Sequence, residues 1–308
     1  MTDRRTSAMS TITLFVLAIQ IASAQTRPSS DQPVTKKETT VTQQTNRDGT
    51  TIARHYQKSS EMVGQPISID RQNVGKVEDL LVDVNSGRVV YGVGSFTNLE
   101  GSSDRFYPIP YTARHFSPEG KAFEMQIESE RLRAVPSFPR TEWPRFTDQE
   151  FATRTFQSYN QKPYWETRST STTSRTDRPT TTTQTSSTTW SEQPSSVHRI
   201  SELRGREIRT PEGTRLGTVD EFVIDPESGR TLYAVTTREG KSVPIPYSAL
   251  RASDNRFEVS ITEDRWKNAP TLESNKWPSL VERRWSEDVY RHYDVDPYWD
   301  SKGSPDRD

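Results

Sequence analysis

One pattern is written twice in this chain, and it limits the fold more than any other feature. Gly75-x-Val77-x-Asp79 leads into Asp83-x-x-Ser86-Gly87-Arg88-x-x-Tyr91, and Gly217-x-Val219-x-Glu221 leads into Asp225-x-x-Ser228-Gly229-Arg230-x-x-Tyr233. In both copies apolar and β-branched residues flank the turn signal, which predicts a hairpin of two short strands. Asp83 and Asp225 can cap the turn through their carboxylates, and Gly87 and Gly229 accept a positive φ without steric cost. The likeness runs on past the hairpin. Tyr107-Pro108-Ile109-Pro110-Tyr111 matches Val243-Pro244-Ile245-Pro246-Tyr247. From Phe123 and Phe257 onward the copies keep a constant offset of 134, aligning Trp143 with Trp277 and Pro163-Tyr164-Trp165 with Pro297-Tyr298-Trp299. A repeat of this extent predicts one structural unit built twice.

Short alternating segments around each hairpin predict a mainly β chain folded as two small barrels in tandem. Two prolines about one isoleucine exclude a central ladder position, so Pro108, Pro110, Pro244 and Pro246 are expected at a barrel edge or corner. Glu130–Pro136 reads as a helical turn stopped by proline. Asp148 is the expected N-cap of a short helix over about 149–158, because its carboxylate can accept from free backbone N–H groups. A barrel of about 75 residues is near the size at which a single core is marginal. The aromatics of this C-terminal extension are therefore expected to pack onto the barrel and enlarge its core.

Of 308 residues only 30% are apolar and 27% are charged, so part of the chain cannot bury a core. Arg4 and Arg5, the apolar run Ile12–Ile21 and Ala22-Ser23-Ala24 predict a signal peptide over 1–24, cleaved after Ala24, and a periplasmic or secreted protein without a transmembrane segment. Residues 25–60 read as a disordered leader, 61–166 as module 1, 167–198 as a Thr/Ser-rich flexible linker, 199–300 as module 2 and 301–308 as a disordered tail. Cysteine is absent, which excludes disulfides, thiolate catalysis and cysteine-ligated metal.

With these residues in view, each module resembles the PRC-barrel family, named for the cytoplasmic domain of the photosynthetic reaction-centre H subunit and similar to the C-terminal half of the ribosome maturation factor RimM. The resemblance rests on the Gly-x-Val, Asp-x-x-Ser-Gly-Arg-x-x-Tyr and Pro-Ile-Pro elements quoted above, in order and twice. It implies a small adaptor barrel that binds proteins or supports a complex. It supplies no shared catalytic residue to carry over.

The residues themselves point the same way. His55, His115, His198 and His292 have no repeat partners and no metal-ligand spacing. The recurring pairs Asp79 with Asp83 and Glu221 with Asp225 admit a calcium or acid/base reading, and a structural reading as turn caps. Residues 61–166 carry twelve basic against fifteen acidic side chains and 199–300 carry sixteen against nineteen, so each module holds −3 and neither suits nucleic acid. Neither metal nor cofactor is expected. Trp143, Trp165, Trp277 and Trp299 are the candidate binding residues, for sugar rings or for a partner protein, although their regular repetition favours packing inside the module. Gly75, Asp83, Gly87, Pro108 and Pro110, with Gly217, Asp225, Gly229, Pro244 and Pro246, are read as the structural motif. The expected function is a non-enzymatic adaptor or scaffold of the bacterial envelope, holding a protein partner that the sequence does not name, with the linker letting both barrels engage together. Envelope polysaccharide binding is the alternative, and a role beside a photosynthetic reaction centre is a third.

Overall fold

The computed structural model describes residues 51–97, 104–115, 122–163, 196–253, 255–273 and 282–299, together with Leu99, Trp277 and strand segments at 41–45, 166–167 and 189–190. The expected signal peptide, much of the leader and linker, the tail and Trp165 lie outside the described residues. Among the described residues no helix is long and apolar enough to cross a membrane.

The strands β1 (Val41–Thr45) and β2 (Thr51–His55) pair with each other. β3 (Gln57–Lys58) and the short helix α1 (Ser59–Met62) then lead into β4 (Pro66–Ile69), β5 (Gln72–Asp83), β6 (Arg88–Phe96) and β7 (Arg105–Pro110). β8 (Arg114–His115), β9 (Phe123–Met125), α2 (Ser129–Arg133), β10 (Phe138–Pro139), α3 (Gln149–Ser158) and β11 (Glu166–Thr167) follow. The first barrel's sheet runs β10-β7-β6-β5-β4-β9-β8. All its pairs are antiparallel except β4 with β9, where Ile67 lies opposite Phe123. Within its own barrel β5 pairs with β4 at its start and with β6 from Gly75 onward, with register shifts at Val77/Asp79 and Leu81/Val82. Such shifts raise the local bend and twist, which lets one long strand turn a barrel corner.

The second barrel repeats this plan. β12 (Thr189–Trp190), β13 (Val197–Arg199) and α4 (Ile200–Leu203) precede β14 (Glu207–Arg209), β15 (Arg215–Thr218), β16 (Glu221–Ile224) and β17 (Thr231–Arg238). β18 (Lys241–Pro246), β19 (Leu250–Ser253), β20 (Arg256–Val259), α5 (Glu263–Lys267) and α6 (Arg283–His292) complete it. The counterpart of β5 is broken in two at Val219 and Asp220, whose N–H groups donate to Arg206 and Val235 carbonyls. The strands thus form two four-stranded sheets, β15-β14-β20-β19 and β18-β17-β16-β3.

The proline strands sit at edges, as their missing N–H groups require. β7 pairs with β6 through Pro108 and Pro110, and its other side meets β10 only at Arg105 and Phe106. Pro244 and Pro246 occupy the same places on β18, opposite Val235 and Tyr233 of β17.

The extensions complete the cores. The Asp148 carboxylate accepts from Phe151 N at 2.8 Å and starts α3. α3 brings Phe156 to within 5.5 Å of the Tyr91 ring, edge on, in a cluster with Phe106, Phe138 and Phe146. In the second module α6 places Tyr290 at 5.7 Å from Tyr233 in the equivalent manner.

One sequence expectation changes here. The leader does not run polar and free to residue 60, because Tyr56 and Gln57 are 5% and 3% exposed. The sequence leaves open whether the barrels touch, and they do. β3, which opens the first module, adds to β16 of the second barrel, and β13, which opens the second, adds to β5 of the first. Both barrels lie in one compact unit, residues 37–308, and a single apolar cluster draws on both, from Ile67 and Phe123 to Phe222 and Phe257.

Candidate functional site

The two Asp-x-x-Ser-Gly turns meet at the seam between the barrels. In the first, Ser86 Oγ donates to Asp83 Oδ2 at 2.5 Å and Gly87 N to the Asp83 carbonyl at 2.8 Å. In the second, Ser228 Oγ donates to Asp225 Oδ2 at 2.6 Å and Gly229 N to the Asp225 carbonyl at 2.9 Å. The local hydrogen bonds hold each loop closed, and the glycines take φ of +70° and +71°. A second reason forces glycine here. A Cβ on Gly87 would lie 2.4 Å from the Tyr247 ring, and one on Gly229 would lie 2.7 Å from the Tyr111 ring.

Those tyrosines belong to the opposite module in each case. Tyr247 OH donates to the Val84 carbonyl and Tyr111 OH to the Pro226 carbonyl, both at 2.9 Å. Burial pushes the Tyr111 phenol up to about 12 and raises Tyr247 as well, so both remain neutral donors.

The recurring acids make the other crossing. Asp79 accepts from Ser201 Oγ at 2.5 Å and from Ser201 N at 3.3 Å, besides Leu80 N at 2.8 Å. Glu221 accepts from Ser59 Oγ, from Ser60 N at 3.2 Å and from Phe222 N at 3.0 Å. Each acid therefore receives a hydroxyl and a backbone N–H from the other module's leading helix. Burial holds the Asp79 carboxyl above the usual aspartate range, and the Ser201 and Leu80 donors oppose that rise. Asp79 and Asp83 are thus engaged with different partners, as are Glu221 and Asp225.

The seam departs from symmetry in more than one place. Arg114 Nη1 donates to the Pro226 carbonyl at 2.6 Å, where the second module has Leu250. His198 on β13 contacts Arg206 through Nδ1 at 3.2 Å and Ser196 Oγ through Nε2 at 3.0 Å, where the first module has Gln57 and Gln65. Partial burial and the nearby guanidinium hold this imidazole below its ordinary value.

Three of the four candidate tryptophans are described, and all three pack within the protein. Trp277 is 9% exposed beneath Lys58 Nζ, 4.1 Å from its ring, and half-buried Trp143 carries the Arg199 guanidinium at 4.6 Å. Each of those cations comes from the other module. Trp299 packs edge on against Tyr290 and Tyr298 at 5.6 and 4.8 Å. The motif glycines Gly75 and Gly217 mark close approaches, since a Cβ would fall 1.9 Å from the Ser95 carbonyl oxygen and 2.5 Å from Thr236 Oγ1.

An open groove of about 710 Å³ runs beside the first barrel, with Asp70, Arg114, His115, Glu128 and Arg131 among its walls. At the matching place in the second module, Arg265 is ion-paired to Asp294. Among the described residues no cluster of His, Asp or Glu has the number to hold a metal ion.

Sequence reasoning found the turns but missed the seam residues Ser59, Ser201, Tyr111 and Tyr247. The available signal was the acid repeated at positions 79 and 221, which no side chain nearby in the sequence accounts for.

The sequence profile of the PRC-barrel domain matches this chain twice, over residues 58–132 and 196–265. Comparison with curated proteins gives no match. The matched ranges coincide with the two strand-rich barrels and include α1 and α4, whose serines cross the seam. With the repeated motif and the mainly β fold, this establishes that the chain carries two PRC-barrel domains in tandem.

Proposed function

We propose that the protein is a non-enzymatic binding scaffold of the bacterial envelope, exported by its N-terminal segment, in which the joined barrels act as one unit towards a protein partner. The observation that carries this reading is the use made of the repeated polar residues. Asp83 and Ser86, with Asp225 and Ser228, close turns, while Asp79 and Glu221 bind the opposite module's serines. Carboxylates and hydroxyls so engaged hold architecture, and a reaction would have to break those bonds first. Joining the barrels also fixes their spacing, so a partner meets one preorganised surface.

Polysaccharide binding gains no support from Trp143 and Trp277, because Trp277 is buried and Trp143 carries a cation from the other module. The test is affinity capture from an envelope fraction with the exported chain, beside a Ser59→Glu chain in which the seam is disrupted. Specific retention of one protein by the wild type, lost in the variant, is expected. Retention of glycan alone, or of nothing, overturns the reading.

A further inference from the structure

The seam is built mainly from contacts that occur twice, with the crossing serines one aligned position apart. Each leading helix sends a serine to the opposite acid, Ser201 to Asp79 and Ser59 to Glu221. Each leading strand adds to the opposite barrel and lays a cation on the opposite tryptophan, Arg199 on Trp143 and Lys58 on Trp277. Each tyrosine covers the opposite glycine and donates to the opposite turn carbonyl. At the centre, Val89 N donates to the Gly229 carbonyl and Thr231 N to the Gly87 carbonyl, both at 2.8 Å.

An interface with this correspondence is isologous in all but covalent connection. The serine–acid, cation–tryptophan and tyrosine–turn groups that a module offers are ones that a second copy of the same module can accept. The Ser196 carbonyl is an exception, since it accepts from Val84 N and the second module has Pro226, without an N–H, in that place. In a pair of second modules, Ser201 would meet Glu221, Arg199 would cover Trp277, and Tyr247 would lie over Gly229 and donate to the Pro226 carbonyl. We propose that the seam is a homotypic docking surface, and that its alternative occupant is the like module of a second copy of this chain. Within one chain, the tether keeps the two modules at high effective concentration, so the internal pair prevails. When one module's face is lost, the other is released to pair between chains. The inference stands whether or not the scaffold reading holds.

The test uses the full chain. Ser59→Glu sets a second carboxylate against Glu221 and disables only the first module's face. Ser201→Glu does the same for the second face against Asp79. Each single variant is expected to double its apparent mass in light scattering, while the double variant, with neither face usable, stays monomeric. Gly87→Val and Gly229→Val form an independent set, acting by a clash with the tyrosine rings, and decide the matter if the glutamate variants fail to fold. As a further measure, two differently tagged wild-type populations are unfolded and refolded together at high concentration, and dimers containing both tags are expected. Single variants that keep their β-sheet signature and remain monomeric overturn the proposal, as does refolding that never yields mixed-tag dimers.

Discussion

Arg88 and Arg230 face each other across the seam as an antiparallel bridge, the point about which the two barrels are related. The residue after each donates its N–H to the glycine carbonyl before the other, so the two hairpin turns are stitched back to back. The turn motif therefore serves two levels of structure. It closes a hairpin within a module and supplies the flat, side-chain-free surface on which the other module's tyrosine rests.

Gly229→Ala tests this double duty. The new methyl meets both a positive φ and the Tyr111 ring, and the same change at Gly213 meets a positive φ of +93° with nothing within 4 Å. In chemical denaturation Gly213→Ala should cost about 1 kcal/mol and Gly229→Ala about 2 kcal/mol more, the difference being the overpacking contribution. Equal losses would mean that the ring contact contributes nothing.

Asp79 gives a pH signature. Its carboxyl titrates above the usual aspartate value of about 3.9 because it is buried. The folded state therefore binds this proton more tightly than the unfolded state does. Its contribution to stability is fully present below the usual value and declines as pH rises through the folded one. Asp79→Asn keeps an oxygen to accept from Ser201 and carries no charge. The stability difference, variant minus wild type, should grow in the variant's favour as pH rises from about 4 and then level off. A difference that is flat with pH would contradict the assignment.

Ser201→Ala removes the hydroxyl and leaves a buried acid short of one donor. A loss of about 1–3 kcal/mol is expected at neutral pH, and the same change in an Asp79→Asn background should cost less. Additive effects of the two changes would show that these residues do not interact.

Trp277→Ala separates a packing role from a binding one. The side chain is buried beneath Lys58, so truncation should lower unfolding free energy by about 3–5 kcal/mol. A folded variant of unchanged stability would return Trp277 to the candidate binding residues.

What could be read in the sequence was what is local. The turn caps need only neighbours two or three residues away, Asp83 with Ser86 or Asp148 with Phe151, and those spacings are visible in one line of text. The PRC-type barrels and their helical extensions were legible because the repeat supplies the pattern twice. The seam was not. Ser59 and Glu221 are 162 residues apart, and Ser201 and Asp79 are 122 apart. The strands that cross are two and three residues long, too short for any periodicity to show. Gln57 is polar and buried by pairing with a strand of the other module, so its composition resembles that of the leader it ends. The cover over Trp143 and Trp277 was hidden for a related reason, since the cations that lie on them arrive from the far module.

The central claim is that the modules form one body through the seam, and the most direct measurement cuts the chain between them. A protease site placed between Thr180 and Thr183, outside the described residues, allows the purified full chain to be cleaved under native conditions and run by size exclusion. The expected result is that both fragments elute together at the volume of the uncut chain and separate only in denaturant. Two fragments eluting apart at single-module volumes, each still folded, would show that the barrels are independent and that the seam does not hold them.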